Sequence, residues 1–554
     1  MSRTSMMAQW LRVARLAARC EQTGESAQEA IEREALRDAG RRRFTQGAAA
    51  AAVVAAAGVG APMAWAGRAR IQRAIASVGG SRPNVAIVGA GMAGLSCGFE
   101  LARNQVGFKV YEASDRVGGR AHTLRGVFPG QVAELGAEFI NSSHNAMMGY
   151  ARMFGLKLEE VSRLPGASYY HFGGRSWSEA QVVEEYRAFT QSIREDLGEL
   201  GSPTADQHTE ADGLFDFMSL DDYLTLNGAG DLLKRTIGAA YAAEYGAHSD
   251  QLSAISFMRF AYGDQRGKFA EVGTAGTNYH VVDGVDRIAT ELAARLPAGS
   301  VQTGHRLVAV YKRPDGKIRL VFNAGGRTVQ SDYDAVVLTL PFTALRDVHL
   351  DASLELPAWK RFAINTATMG DNAKTMIGFR YPYWYVDHNA SGTGYADRAN
   401  LQATWETNPG KSSERQAILT HHAGGEMARR MDPVHVQSQA GAILSDLEAV
   451  MPGAHAAAMR TPSGDLLAVT SNWSANPLSR GSYANPRPGY FTTTAHNEAK
   501  PIGNLMFAGE HTSSFYEWQG FMEGAALSGF RAASEVVSQM RTRTSPLQAL
   551  GALF

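Results

Sequence analysis

Cysteine is nearly absent, with Cys20 and Cys97 the only two in 554 residues. Cys20 falls in a segment read below as a leader, so no pair is left for a disulfide and no framework for zinc. Charge of either sign is in no excess, since 54 basic residues balance 54 acidic ones. That balance argues against a nucleic acid or another polyanion as partner. Past the N-terminal region, no apolar stretch is long enough to span a bilayer. There is no Ser-His-Asp signature, no H-E-x-x-H stretch and no internal repeat, and no metal site is expected. What the chain does have is apolar material, 45% of its residues. That is more than one core can use and points to two or three domains, or one fold with large insertions.

Residues 1–66 read as an export leader. "RRRFTQ" (Arg41 to Gln46) precedes the small-residue run "GAAAAAVVAAAGVGAPMAWA", which ends in Ala64-Trp65-Ala66, an A-x-A cleavage pattern. Arg-Arg-x-Phe resembles a twin-arginine signal, the route for proteins exported already folded. The expected partner is the Tat export machinery and the expected location is the periplasm or outside the cell. The alternative is an uncleaved N-terminal anchor.

From Asn84 the pattern is strand, glycine turn, helix, strand. "NVAIVGA" is a short apolar run, "GMAGLSCGFELARNQ" has helical spacing, and "FKVYEA" is a second strand ending in Glu112. Gly89, Gly91 and Gly94 form a G-x-G-x-x-G. In this context one glycine allows the turn, one lets backbone approach a pyrophosphate, and one lets helix pack on strand. The helix start, with Met92 and Ala93, faces the anion. Glu112 stands where an acid accepts both hydroxyls of a ribose. A plain α/β core with a glycine-rich turn is the structural alternative, and the turn alone does not separate NAD from FAD.

"EASDRVGGRAHT" separates them. Glu112 and Ala113, followed by Arg116, Gly118, Gly119 and Arg120, resemble the second signature of the flavin amine oxidase superfamily, which includes monoamine, polyamine and L-amino-acid oxidases. The arginines offer forked donors to phosphate or ribityl oxygens. "AELGAEFIN" is similar to the family stretch that runs beside the isoalloxazine, here Gly136, Ala137 and Glu138. "GHRLVAVYK" is similar to the strand that meets the adenine half through a backbone pair, at Val308. "FAGEHTSSFYEWQGFMEGA" is similar to the C-terminal FAD signature, with Gly509, Glu510, Gly520, Phe521 and Met522 near the cofactor, and Trp473 is a further candidate. The resemblance covers about 84 to 540.

It implies an α/β fold: an FAD-binding Rossmann-like domain of the glutathione-reductase type with a mixed α+β substrate domain. The FAD-binding domain would be discontinuous, 84–145, 280–345 and 490–540, and the substrate domain 146–279 and 346–489. FAD would be non-covalent, because Ser482 stands where some monoamine oxidases have an attaching cysteine. Lys374 matches the lysine that orients a water beside the flavin and helps dioxygen accept electrons. A surface lysine on an edge strand is the plainer alternative. Tyr483 and Phe521 match the aromatics that flank the substrate amine, with core packing as the alternative. Trp518 is a weaker candidate for the same cavity. His421 and His422 are expected on opposite faces of a strand in structural roles, and His511 near the flavin with no role.

The implied reaction is oxidative deamination of an L-amino acid to a 2-oxo acid, ammonia and hydrogen peroxide, with dioxygen as acceptor. A primary-amine or polyamine oxidase is the alternative, and a non-catalytic FAD-binding protein is the alternative of another class. Several L-amino-acid oxidases grip the carboxylate with an arginine near "AELGAEFINSSHNAM", where this chain offers Glu138 and Asn141. Glu138 could meet a cationic substrate end, or equally hydrogen-bond the backbone and never see substrate. Arg259 and Arg380 are the candidate replacements for the clamp. Related enzymes are often dimers, so the resemblance leaves room for a homodimer.

Overall fold

The computed structural model describes residues 5–34, 84–161, 166–262, 278–409, 416–513 and 518–544. At its centre is a five-stranded parallel sheet. Its order is Val301–Gln302, Gly107–Tyr111, Asn84–Val88, Ala335–Leu338 and Leu505–Phe507. Both faces of such a sheet must be covered, which is why its strands read as unbroken apolar runs. Helices Met92–Arg103, Asp286–Ala294 and Met522–Thr544 supply one cover, through Leu95, Cys97, Leu101, Ile288, Ala526 and Val536. The other cover is an antiparallel sheet built on His305–Lys312, Ile318–Ala324 and Arg327–Tyr333. This is the expected Rossmann-like arrangement. Burial is complete at Cys97 and pushes its thiol up, so it acts as a small apolar side chain.

The second body is a seven-stranded sheet wrapped by helices. Its order is Ala468–Asn472, Asn372–Phe379, Ala417–Gly424, Ala403–Glu406, Ala390–Ala396, Ala167–Phe172 and Arg175–Trp177. Every residue of Asn372–Phe379 and Ala417–Gly424 is buried, because cavity-lining groups lie on one face and core on the other.

Packing moves several expected boundaries. Met147 and Tyr150, placed at the start of the substrate domain, pack with the glycine helix. Residues 348–367 pack through Val348, Leu354 and Ile364 onto the FAD-side core. Phe491 joins the substrate-side core instead. Within the stretch expected to be a leader, helix Ser5–Thr23 and helical residues 27–34 are folded into the substrate-side core, with Trp10, Val13, Leu16 and Cys20 buried there. The arginines at 41–43 and the alanine run lie outside the described residues.

One glycine is set by contact distance. A Cβ at Gly94 would stand 1.9 Å from the carbonyl oxygen of Gly89, which is rigid backbone of the turn. Helix and strand could not then approach as they do. Gly94→Ala should cost about 1–3 kcal/mol or more by overpacking, read as a lower thermal midpoint, and should weaken FAD retention on gel filtration.

Candidate active site

A cavity of about 670 Å³ runs between the two bodies, lined by residues from Val88 to Ala525. At one end the strand Asn84–Val88 delivers the chain into the glycine turn. Helix Met92–Arg103 begins there without a side-chain cap, so its first amides are left for a ligand. A Cβ at Gly91 would meet no protein atom within 4 Å, because its space is the cavity. Glu112 is held at the cavity edge by Ala90 N–H at 2.8 Å and by the amide and hydroxyl of Ser114, each at 2.9 Å. Val308 is skipped where the pairing of its strand slips between Leu307 and Ala309, and it lines the cavity at that bulge. Open helix amides, a fixed carboxylate, a bulged strand and glycine walls fit a dinucleotide such as FAD.

Of the residues expected on the cofactor side, Gly89, Gly91, Met92, Ala93, Glu112, Ala113, Arg116, Gly119, Arg120, Gly136, Ala137, Glu138, Val308, Trp473, Gly509, Glu510, Gly520, Phe521 and Met522 all line this cavity. Gly94 does not line it and serves packing instead. Arg116 lines it, but much of its fork is committed to the loop itself, donating to the carbonyls of Val117, Gly119 and Ala121. Arg120 donates to Glu510 at 2.8 Å and to the Ser482 carbonyl at 2.6 Å. Glu510 also accepts from the amides of Ala484 and Gly520, at 3.2 and 2.6 Å. Four distant stretches are tied there by one ion pair.

Lys374 is buried, not on a surface edge. Its ammonium donates to the Gly136 carbonyl at 2.8 Å, the Glu134 carbonyl at 3.3 Å and the Glu138 carboxylate at 2.7 Å. All three N–H bonds thus have protein acceptors, where a water had been expected. The other oxygen of Glu138 accepts from the Trp405 indole N–H at 3.1 Å. Glu138 is therefore the counterion of Lys374 while still lining the cavity. Below it, burial pushes the Glu134 carboxyl up to about 8, although it accepts from Val285 N–H and Thr123 hydroxyl.

Opposite the glycine turn, Phe139, Trp405, Tyr483 and Phe521 line the cavity together with Asn372, Ala373 and His422. Ser482 donates to Asn372 at 2.5 Å and offers no thiol. Trp518 is not in the wall. It stands behind it, edge-on to His144 and Phe521 at 5.1 and 6.1 Å. Burial drives His144 down to about 3, so it supports Phe521 as a neutral ring.

Phe139, Trp405 and His422 were missed. His421 is structural as expected, accepting from Gln402 N–H. His422 faces the cavity, bonded to the Ala243 carbonyl at 2.9 Å and held down to about 3 by burial and by Lys374. Strand alternation puts His421 and His422 on opposite faces, and the pairing of His422 with Lys374 in the folded sheet shows which of them faces the cavity. His511 packs edge-on to Phe342 and stays outside this cavity.

Among the described residues the arginines lining the cavity are Arg116, Arg120 and Arg306; Arg120 lies beside the segment bearing Tyr483, where it is already bonded to Glu510 and the Ser482 carbonyl. Arg380 is exposed and bonded to the Ala456 carbonyl, so it forms no carboxylate clamp. The side chain of Arg259 lies outside the described residues.

Two outcomes follow for stability. Glu134 binds its proton more tightly folded than unfolded, where its value is 4.5. Its stabilising contribution is complete below pH 4.5 and is lost as pH rises toward and through about 8. Glu134→Gln should therefore flatten the fall in thermal midpoint across that window, measured against the unsubstituted protein. Glu138→Ala should cost about 3–5 kcal/mol in urea unfolding, because it strands a buried ammonium. Glu138→Gln should cost less, since it can still accept from Trp405.

Residues 92–537 match the family profile described as flavin containing amine oxidoreductase. Relatives include the flavin-dependent L-tryptophan oxidase RebO of Lentzea aerocolonigenes, 27% identical over 81% of this chain and 97% of that protein. The probable polyamine oxidase 4 of Arabidopsis thaliana is 23% identical over 82% of this chain and 86% of its own. Among solved structures, cyclohexylamine oxidase from Brevibacterium oxydans IH-35A superposes with a TM-score of 0.69 at 19% identity, covering 83% of this chain and all of that one. That likeness speaks for the fold. The chain belongs to the flavin-containing amine oxidoreductases, and its cofactor is FAD.

Proposed function

We propose that this protein oxidatively deaminates apolar primary amines that carry no α-carboxylate. The observation that carries this reading is the wall opposite the glycine turn. Phe139, Trp405, Tyr483 and Phe521 make it aromatic, and its one acid and one lysine neutralise each other. The described guanidinium beside that wall, Arg120, is already paired with Glu510 and the Ser482 carbonyl, so an α-carboxylate would find no free partner in it, and a buried unpaired charge is costly. A second cationic end, as in a diamine, would find Glu138 already taken by Lys374.

FAD supplies the redox chemistry, accepting a hydride equivalent from the substrate α carbon and delivering the electrons to dioxygen as hydrogen peroxide. The chain's part is positional. The aromatic side chains orient a neutral amine and exclude water from it. Lys374 braces the 134–138 backbone through the Glu134 and Gly136 carbonyls, which keeps the Ala137 stretch against the cavity. Release of the imine into water gives the carbonyl product and ammonia.

A second reading, L-amino-acid oxidation, is supported by the 27% identity to an L-tryptophan oxidase. Export also belongs to the proposal: Arg41-Arg42-Arg43-Phe44 and Ala64-Trp65-Ala66 support passage of the folded protein to the periplasm or beyond.

The test measures peroxide and ammonia together for matched pairs: phenethylamine with L-phenylalanine, tryptamine with L-tryptophan, and putrescine as the diamine. The amine of each pair should exceed the amino acid in kcat/KM by about 100-fold, the equivalent of roughly 3 kcal/mol of unpaired charge. Preference for the amino acids would replace this reading with the second. Retained FAD with no turnover of any compound would favour a binding protein. Lys374→Met should lower kcat about 100-fold or more while the protein stays yellow, read by stopped-flow reduction and reoxidation.

A further inference from the structure

Residues 5–34 sit where a leader was expected, yet they are built into the enzyme. Helix Ser5–Thr23 places Trp10, Val13, Ala14, Leu16, Ala17 and Cys20 on one face, and each is 3% exposed or less. Trp10 meets Tyr186 edge-on at 5.0 Å. The polar groups at the margin are matched as well. Gln9 donates to Glu179 at 2.6 Å and to the Tyr170 hydroxyl at 3.3 Å, and Arg12 pairs with Glu179. Ala27 N–H donates to Glu184 at 2.9 Å, where the second helical stretch begins. Arg12 also bonds Glu34 at 2.7 Å, which locks the two helical stretches together.

The face they cover is not peripheral. The helix packs on Glu179–Ser192 and Asp231–Tyr245, and on strands Ala390–Ala396 and Ala403–Glu406. Trp405 of the cavity wall belongs to the last of these. Trp10, Phe139 and Trp405 lie in one continuous apolar core. Without the helices, Tyr170, Val182, Val183 and Tyr186 would face water together, and Glu179 would lose both partners. A surface of that kind does not stay uncovered on a soluble protein.

We propose that residues 5–34 are a permanent component of the working enzyme and remain docked, without a covalent link, after the chain is cut at Ala66. The cut itself is a hydrolysis: water adds across the Ala66–Gly67 amide and one peptide bond breaks. The docking contacts described above all come from residues 9–34, more than thirty positions before the cut. The mature protein is then two polypeptides, the shorter one buttressing the strand that carries Trp405. This inference does not depend on the amine reading, because its tests read assembly and stability.

The experiment co-expresses residues 1–66, carrying an affinity tag, with untagged residues 67–554. The expected result is recovery of both chains at 1:1, yellow, with a thermal midpoint within a few degrees of the uncut protein. Expressed alone, residues 67–554 should aggregate, or melt lower by roughly 10 °C. In the uncut protein, Trp10→Ala should lower the midpoint by several degrees. In the two-chain form Arg12→Glu should cut recovery about tenfold, and Glu179→Arg added to it should restore most of the loss. A body of 67–554 that is alone monomeric, yellow and equally stable, and that leaves the short chain behind, overturns the proposal. An unchanged midpoint for Trp10→Ala in the uncut protein overturns it too.

Discussion

The ion pair between Arg120 and Glu510 joins residues that are 390 positions apart. Each partner also holds backbone: Arg120 the Ser482 carbonyl, and Glu510 the amides of Ala484 and Gly520. The loop after the second strand, the segment bearing Tyr483 and the entry to the last long helix are thereby set in one place. Arg120 is only partly buried and Glu510 almost fully, so the pair keeps more strength than a surface bridge. That junction joins three stretches of the cavity wall that are far apart in the chain.

A second pair, Lys374 with Glu138, works by a different logic. There the cation is satisfied by two carbonyls as well as a carboxylate, and the carboxylate by an indole as well as a cation. Few donors or acceptors are left over. The result is a wall whose charges cancel and whose remaining surface is aromatic, next to a glycine turn rich in open amides. One enclosure thus offers an anion-binding end and a neutral end.

The glycine turn, Glu112, the arginine loop and the C-terminal stretch were legible in the sequence because each is a local requirement on backbone or charge. Gly94 is dictated by a carbonyl five residues away, and its meaning survives in one dimension. The partners of Glu138 were not legible, because Lys374 and Trp405 lie 236 and 267 positions away and only the folded sheet brings them in. Trp518 sits one turn from Phe521, so motif position could not say which ring faces the cavity. The N-terminal helix was legible in principle. Trp10, Val13, Ala14 and Ala17 repeat at helical spacing, but the arginines and alanines downstream drew the whole segment into one reading.

The sheet under the cofactor site takes its outer strand, Leu505–Phe507, from near the far end of the polypeptide. On the ribosome, the glycine turn therefore emerges more than 400 residues before the strand and helix that complete its surroundings. Synthesis at about 5–20 residues per second puts tens of seconds between the two events. During that interval the parallel sheet has an unfilled edge and the nucleotide has no enclosure. Enclosure of the cofactor is consequently a late step, completed only when the last strand and helix have been made.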